Sequence, residues 1–244
     1  MPTLTLQPGP TEGQDTDVYE GSPNTNYGTI TTLGVRGFSG ARNNILLKFD
    51  LSTLVGMTIT SATLYLYGVG GLDGSGYVRR ILPANSGWTE GATWNYADGS
   101  AIRWAGDAAS NGGSDAGCTQ SGVDYSATPM GTISLTVDPV GTENSLVLNA
   151  TEFAAMVAAN HGMVIRDSSG GAVAKQVASS DYTAVTARRP KLVVEYAYAG
   201  RVYVQGVESA ARPAVAGHVY TYDVSTVVQP AVAGAVRTYN VREV

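Results

Sequence analysis

"NILLKFDL" (residues 44–51) alternates along its length: Ile45, Leu47, Phe49 and Leu51 share one face, and Lys48 and Asp50 the other. Successive side chains leave an extended backbone on opposite sides, so this period of two marks a strand with one buried face. "SATLYLYGV" (61–69) repeats the pattern, setting Ala62, Leu64 and Leu66 against Thr63, Tyr65 and Tyr67. "KLVVEYAY" (191–198) sets Leu192, Val194, Tyr196 and Tyr198 against Val193 and Glu195. Ile45, Leu47, Phe49, Leu64, Leu66, Leu192 and Val194 are therefore the predicted core. Weaker runs predict strands near Thr3–Leu6, Asp17–Tyr19, Thr31–Val35, Tyr77–Leu82, Thr132–Val137, Ser145–Leu148, Met163–Arg166 and Val173–Ala178. One helix is expected in "EFAAMVAAN", capped by Asn149 or Thr151, with Phe153, Met156 and Val157 on its buried face and Gly162 after its end. Many short strands and a single helix give an all-β class, an antiparallel β-sandwich.

Composition agrees. Of 244 residues, 43% are apolar and only 14% charged, and there are 30 glycines, which favours short strands and many turns. The formal net charge of −5 argues against nucleic acid as a partner. No run of about 18 apolar residues occurs, so no membrane-inserted helix is expected. The start, "MPTLTLQPGPTEG", carries no signal-peptide pattern.

Residues able to do covalent chemistry are few. The single cysteine, Cys118, has no neighbouring base in sequence, and the two histidines, His161 and His218, stand far apart. No nucleophile-elbow, zinc-protease, phosphate-loop or dithiol motif occurs. Asp98, Asp107, Asp115 and Asp124 fall in expected loops and supply the carboxylates for the least favoured reading, a polysaccharide-active enzyme. The chain reads as non-enzymatic. The stretch from Gly106 to Gly131 is long and rich in small residues, and reads as a surface loop. No cofactor is implied. Two acidic groupings would suit a structural calcium ion, Asp15 and Asp17 with Glu20 near the start, and Asp107 with Asp115 in the loop, although neither has EF-hand spacing.

Four phrases carry a family resemblance: "TLTLQPGPTEGQDTDVYEGSPNTNYGTITTLGV", "NNILLKFDLSTLVGMTITSATLYLY", "SGWTEGATWN" and "SSDYTAVTARRPKLVVEY". In this order they resemble DNRLRE-type modules, over about residues 3–198. The resemblance implies a jelly-roll-like sandwich, related to carbohydrate-binding modules, with a binding rather than a catalytic role. Some such modules bind acidic polysaccharides such as alginate. The chain departs from the pattern in two places. "GTISLTVDPVGTENSLVLNATEF" (131–153) lacks the tryptophan-centred strand of the family, and Asp107–Ser121 looks inserted.

All three tryptophans, Trp88, Trp94 and Trp104, lie in "GWTEGATWNYADGSAIRW". A flat ring stacks on the apolar face of a pyranose, so all three are sugar-contact candidates. Trp88 and Trp94 belong to the family-like framework and are expected to close one end of the sandwich. Trp104, bordering the loop, is the better contact. Arg36, Arg79 and Arg80 are candidates for pairing with an acidic glycan.

The C-terminal segment is different in kind. "AGRVYVQGV" (199–207), "AGHVYTYDV" (216–224) and "AGAVRTYNV" (233–241) recur at a spacing of 17 residues. Val202, Val219 and Val236 share one face. Val207, Val224 and Val241 share the other, with Tyr203, Tyr220, Tyr222 and Tyr239. Strands apolar on both faces need partners on two sides. Val202, Val219, Val236, Tyr220, Tyr222 and Tyr239 are the candidate assembly residues. Such repeats resemble segments of phage fibre and decoration proteins. The expectation is thus two parts: residues 1–198, a carbohydrate-binding-like sandwich, and residues 199–244, three β-repeats for attachment or oligomerisation. Together they read as a virion surface protein (capsid decoration, head fibre or tail-associated). Its partners would be a host surface glycan, other virion proteins and its own copies, with a trimer as the first choice. The alternative is a bacterial extracellular polysaccharide-binding module.

Overall fold

The computed structural model describes residues 1–107, 115–137 and 139–198; the repeat strands and their assembly residues lie outside the described residues. The chain is an all-β sandwich. Its strands are β1 (Thr3–Leu6), β2 (Gln14–Tyr19), β3 (Thr32–Val35), β4 (Asn43–Lys48), β5 (Met57–Gly71), β6 (Gly74–Arg80), β7 (Gly131–Leu135), β8 (Glu143–Val147), β9 (Met163–Asp167), β10 (Lys175–Ala178) and β11 (Lys191–Tyr198). The helix α1 (Ala150–Ala158) separates β8 from β9. One sheet runs β1-β11-β5-β10-β3, with β8 also on β5, and the other runs β2-β4-β9-β6-β7. All of these pairings are antiparallel.

Alternation places the core between the sheets. Ile45 and Leu47 of β4, Ala62, Leu64 and Leu66 of β5, Ile165 of β9 and Leu192 and Val194 of β11 form one buried cluster, which Phe49 joins. Every residue of the predicted core is buried. The helix forms as its sequence requires. The Asn149 side chain accepts a hydrogen bond from the Glu152 amide, and Phe153, Met156 and Val157 face the core. Gly162 follows with φ +80°.

A second cluster corrects two expectations. Leu46, Val18 and Val164 point away from the first core and are also buried, together with Trp88, Trp94, Trp104, Ala116, Cys118 and Tyr125. The tryptophan-rich segment and the chain beyond it therefore cover the outer face of the β2-β4-β9-β6-β7 sheet. Trp88 and Trp94 form this outer layer rather than closing an end. The Gly106–Gly131 stretch is not simply a surface loop, since its described part from Asp115 onward supplies buried side chains. Asp124, itself buried, fixes that segment: Oδ1 accepts from Asn85 Nδ2 (2.9 Å) and the Gly106 amide (2.8 Å), and Oδ2 from the Gln120 amide (2.8 Å). Gly117, at φ +69°, lies where any Cβ would collide with the Trp94 ring. The Cys118 thiol is buried and its pKa is raised by that burial, so it stays protonated and unreactive.

Candidate functional site

The two sheets leave an open side where their edge strands, β2 and β3, run together. The sequence places Asp15 and Asp17 on the same face of β2, opposite Leu47 and Ile45 of β4, with Tyr19 beyond them. A cleft of about 180 Å³ opens at this edge, between Asp17, Tyr19, Tyr27, Arg36, Asn43 and Gln176. That is small beside the roughly 300–1,000 Å³ of pockets for larger ligands.

The floor is a polar network. Asp17 Oδ2 accepts from the Gly34 amide (2.7 Å) and from Asn43 Nδ2 (3.0 Å). Burial pushes the Asp17 carboxyl up to about 6, and these two donors oppose the rise. Gly34 admits Asn43, because a Cβ at position 34 would stand 2.8 Å from Asn43 Nδ2. With its Nδ2 committed to Asp17, Asn43 keeps a buried Oδ1 that has no hydrogen-bond partner. Backbone bonds between Arg36 and Asn43 (2.9 Å each way) pin the end of β3 to the start of β4, and so join the two sheets beneath the cleft.

The walls carry aromatic and planar groups. The Arg36 guanidinium lies 5.0 Å from the centroid of the Tyr19 ring, and its Nε donates to the Ala41 carbonyl (2.6 Å). Its terminal nitrogens make no hydrogen bond among the described residues. Tyr27 lines the cleft from the β2–β3 connection. Gln176, exposed on β10, is paired in register with Gly34 of β3.

Residues 10–111 match the model of carbohydrate-binding module family 96. The family 96 match spans less than half of the chain. It takes in β2 to β6, the tryptophan segment and the cleft residues from Asp17 to Asn43, but not Gln176. The matched family is one of binding modules, and it points to a carbohydrate as partner. The match leaves the remainder of the chain unassigned. No curated protein matches the chain.

The structure redistributes the site residues expected from sequence. Trp104 is corrected: it is 1% exposed, and its indole N–H donates to the Thr93 carbonyl (3.0 Å), so no ring face is open to a sugar. Trp88 and Trp94 are buried likewise. The Trp88 N–H donates to the His161 carbonyl (2.6 Å), and the Arg42 guanidinium lies 4.9 Å from the Trp94 ring centroid. The three arginines are not brought together. Arg79 donates to the Ser126 and Ala127 carbonyls, Arg80 Nε pairs with Glu152 (2.8 Å), and Arg36 alone of the three lines the cleft.

The expected calcium ligands have other partners. Asp17 serves the cleft floor, Glu20 pairs with Arg42 (2.8 Å), Asp107 with Arg103 (3.3 Å), and Asp115 accepts from Gln120 (2.8 Å). Asp15 instead meets Glu90 and Asp181. Tyr19, Tyr27, Asn43 and Gln176 were not singled out by sequence. The strand expected at Asp17–Tyr19 puts Asp17 and Tyr19 on one face, a signal that could have found Tyr19, but nothing local marks the other three.

Proposed function

We propose that the chain binds a polysaccharide at the β2–β3 cleft without cleaving it, and that an acidic glycan is the preferred ligand. The observation that carries this reading is a cleft, largely within a segment matching a carbohydrate-binding family, lined by Tyr19, Tyr27, Arg36 and Gln176. Tyr27 offers a ring for stacking, and Arg36 offers charge-assisted donors for a uronate carboxylate.

Titration of the full-length chain against a neutral glucan and a polyuronate tests this. Tyr27→Ala is expected to weaken binding of either ligand about tenfold, the worth of one aromatic contact of about 1–1.5 kcal/mol. Arg36→Ala should lower affinity for the polyuronate and leave the neutral ligand unaffected. Trp104→Phe should leave both affinities unchanged. Binding that survives both cleft substitutions, or release of reducing ends, would overturn the reading.

The wider proposal is a virion surface protein, in which the sandwich faces outward and residues 199–244 attach or oligomerise. Its support is the 17-residue period with valine and tyrosine on both strand faces. Mass in solution tests it: the full-length chain is expected to be a homo-oligomer, a trimer as first choice, and Val219→Asp with Val236→Asp should give a monomer. A full-length chain that is monomeric at high concentration sinks the oligomer.

A further inference from the structure

Asp15 sits two residues before Asp17 on β2 but belongs to a different neighbourhood. Carboxylate oxygens of Asp15, Glu90 and Asp181 all lie within 4.8 Å of one another. They come from three distant parts of the chain: β2, the tryptophan segment and the connection between β10 and β11. Each is positioned by its own contacts. Asp15 Oδ2 accepts from the Ser180 amide (2.7 Å). The Glu90 carbonyl accepts from Asn26 Nδ2 (2.6 Å), and the Asp181 amide donates to Ser179 Oγ (3.1 Å).

Three carboxylates this close repel one another. Burial pushes the Asp15 carboxyl up to about 7 against the pull of Ser180, and the charges acting on it, those of Glu90 and Asp181, are both negative. Glu90 is raised as well, first by burial and then by Asp181, with the Asp15 amide opposing.

A second observation is independent of the acidic cluster. The Ser180 hydroxyl, in a residue 1% exposed, lies near enough to the Asp15 carboxylate to oppose its rise, yet makes no hydrogen bond of full geometry. Asp15 Oδ1, in a residue 3% exposed, is unpartnered too, as is Glu90 Oε1. Leaving buried oxygens unsatisfied is costly, because their hydration is lost and nothing replaces it. A bound cation removes the repulsion and satisfies these oxygens together.

We propose that Asp15, Glu90 and Asp181 hold a calcium ion, with Ser180 Oγ as a neutral further oxygen. Ligands about 2.4 Å from a common ion stand at most about 4.8 Å apart, which this cluster satisfies. All the donors are hard oxygens. They come from separate loops and a strand edge, and such flexible mixed geometry suits calcium better than the strict octahedron of magnesium. The ion would fasten the tryptophan layer and the β10–β11 connection to the edge strand β2, beside the cleft but apart from its ligand-facing groups.

The test uses the full-length chain stripped with EDTA and titrated with calcium chloride alone, without glycan. Calorimetry should show one equivalent bound, and the melting temperature should rise by about 5 °C or more at a hundredfold excess over Kd. Glu90→Gln and Asp181→Asn, measured separately, should each weaken binding about tenfold or more and shrink the shift. Their metal-free melting temperatures should not fall, because each substitution relieves repulsion. Absence of both heat and stabilisation at millimolar calcium overturns the proposal. So does an undiminished response in both variants, which would place the ion elsewhere. An equal shift with magnesium alone overturns the assignment to calcium.

Discussion

Leu64→Asp abolishes folding of the sandwich. Leu64 is fully buried on β5, opposite Leu192 of β11 on one side and Leu146 of β8 on the other. Removing it forfeits about 1.5–3 kcal/mol of buried apolar surface. The new carboxylate has no partner within that apolar cluster, and burying even a neutral polar group without a hydrogen bond costs a further several kcal/mol, roughly 2–7. The sum approaches the entire stability of a typical domain, about 5–15 kcal/mol. The expected outcome is insoluble protein, or a chain without the circular dichroism of a β-sheet. Thr63→Asp makes the comparison sharp. Thr63 neighbours Leu64 but points away from the core and is only half-buried, so its loss should be about 1 kcal/mol, the span of strand propensity. If the two variants melt together, the pleat assignment of β5 is wrong.

That contrast rests on the same feature that made the fold legible. Along β5 and β11 one face is buried, and the period of two is written directly in the side chains. The helix start was legible to within a choice of Asn149 or Thr151, because a capping side chain acts on its own next turn, and Asn149 makes the cap. The outer layer was not. Leu46 is buried between Ile45 and Leu47, which means that β4 has two buried faces, and its cover is drawn from residues whose composition reads as loop. Ala116, Cys118 and Tyr125 are few among glycine, serine and aspartate. What holds that segment down is a set of polar bonds to Asp124 and Asn85, and hydrogen bonds of this kind leave no periodicity. For the same reason Trp104 looked like a surface ring beside a loop, although that loop covers it.

The cleft shows a different limit. Tyr19, Asn43 and Gln176 meet because β2 pairs with β4 and β3 pairs with β10. Gln176 is more than a hundred residues from the others, and register across such a distance is a tertiary fact. Arg36 could be named as a charged candidate, but its difference from Arg79 and Arg80 appears only once Ser126, Ala127 and Glu152 are seen to occupy the other two. Likewise, the clustering of Asp15 with Asp17 and Glu20 carried the hint of a cation ligand, while Glu90 and Asp181 were reachable only through the fold.

Lys175→Met should cost about 3–5 kcal/mol, the usual penalty for leaving one charge of a buried pair alone. Lys175 Nζ pairs with Asp167 Oδ2 at 2.5 Å and also donates to Ser169 Oγ (2.9 Å). The two side chains are 3% and 0% exposed. Asp167 ends β9 in one sheet and Lys175 starts β10 in the other, so the pair closes the crossing between sheets. Gly74 makes room for it, since a Cβ there would collide with Lys175 Cε. Asp167 titrates below its ordinary value. Burial alone would raise it, but hydrogen bonds from Lys175 and Ser169 prevail.

A folded-state pKa lowered in this way contributes stability above the unfolded value, about 3.9, and loses it as pH falls through the folded value. In the Lys175→Met chain Asp167 is buried without its cation and protonates more readily. The gap from wild type is therefore widest at neutral pH and narrows in acid. Adding Asp167→Asn removes the stranded charge while keeping an acceptor for the Ser169 amide (2.7 Å in the wild type), so the double variant should regain most of the loss. Denaturant unfolding of the four chains of this cycle reads the coupling directly. A single-variant loss below about 1 kcal/mol, the range of exposed pairs, would mean that water reaches the pair and that it does not lock the crossing.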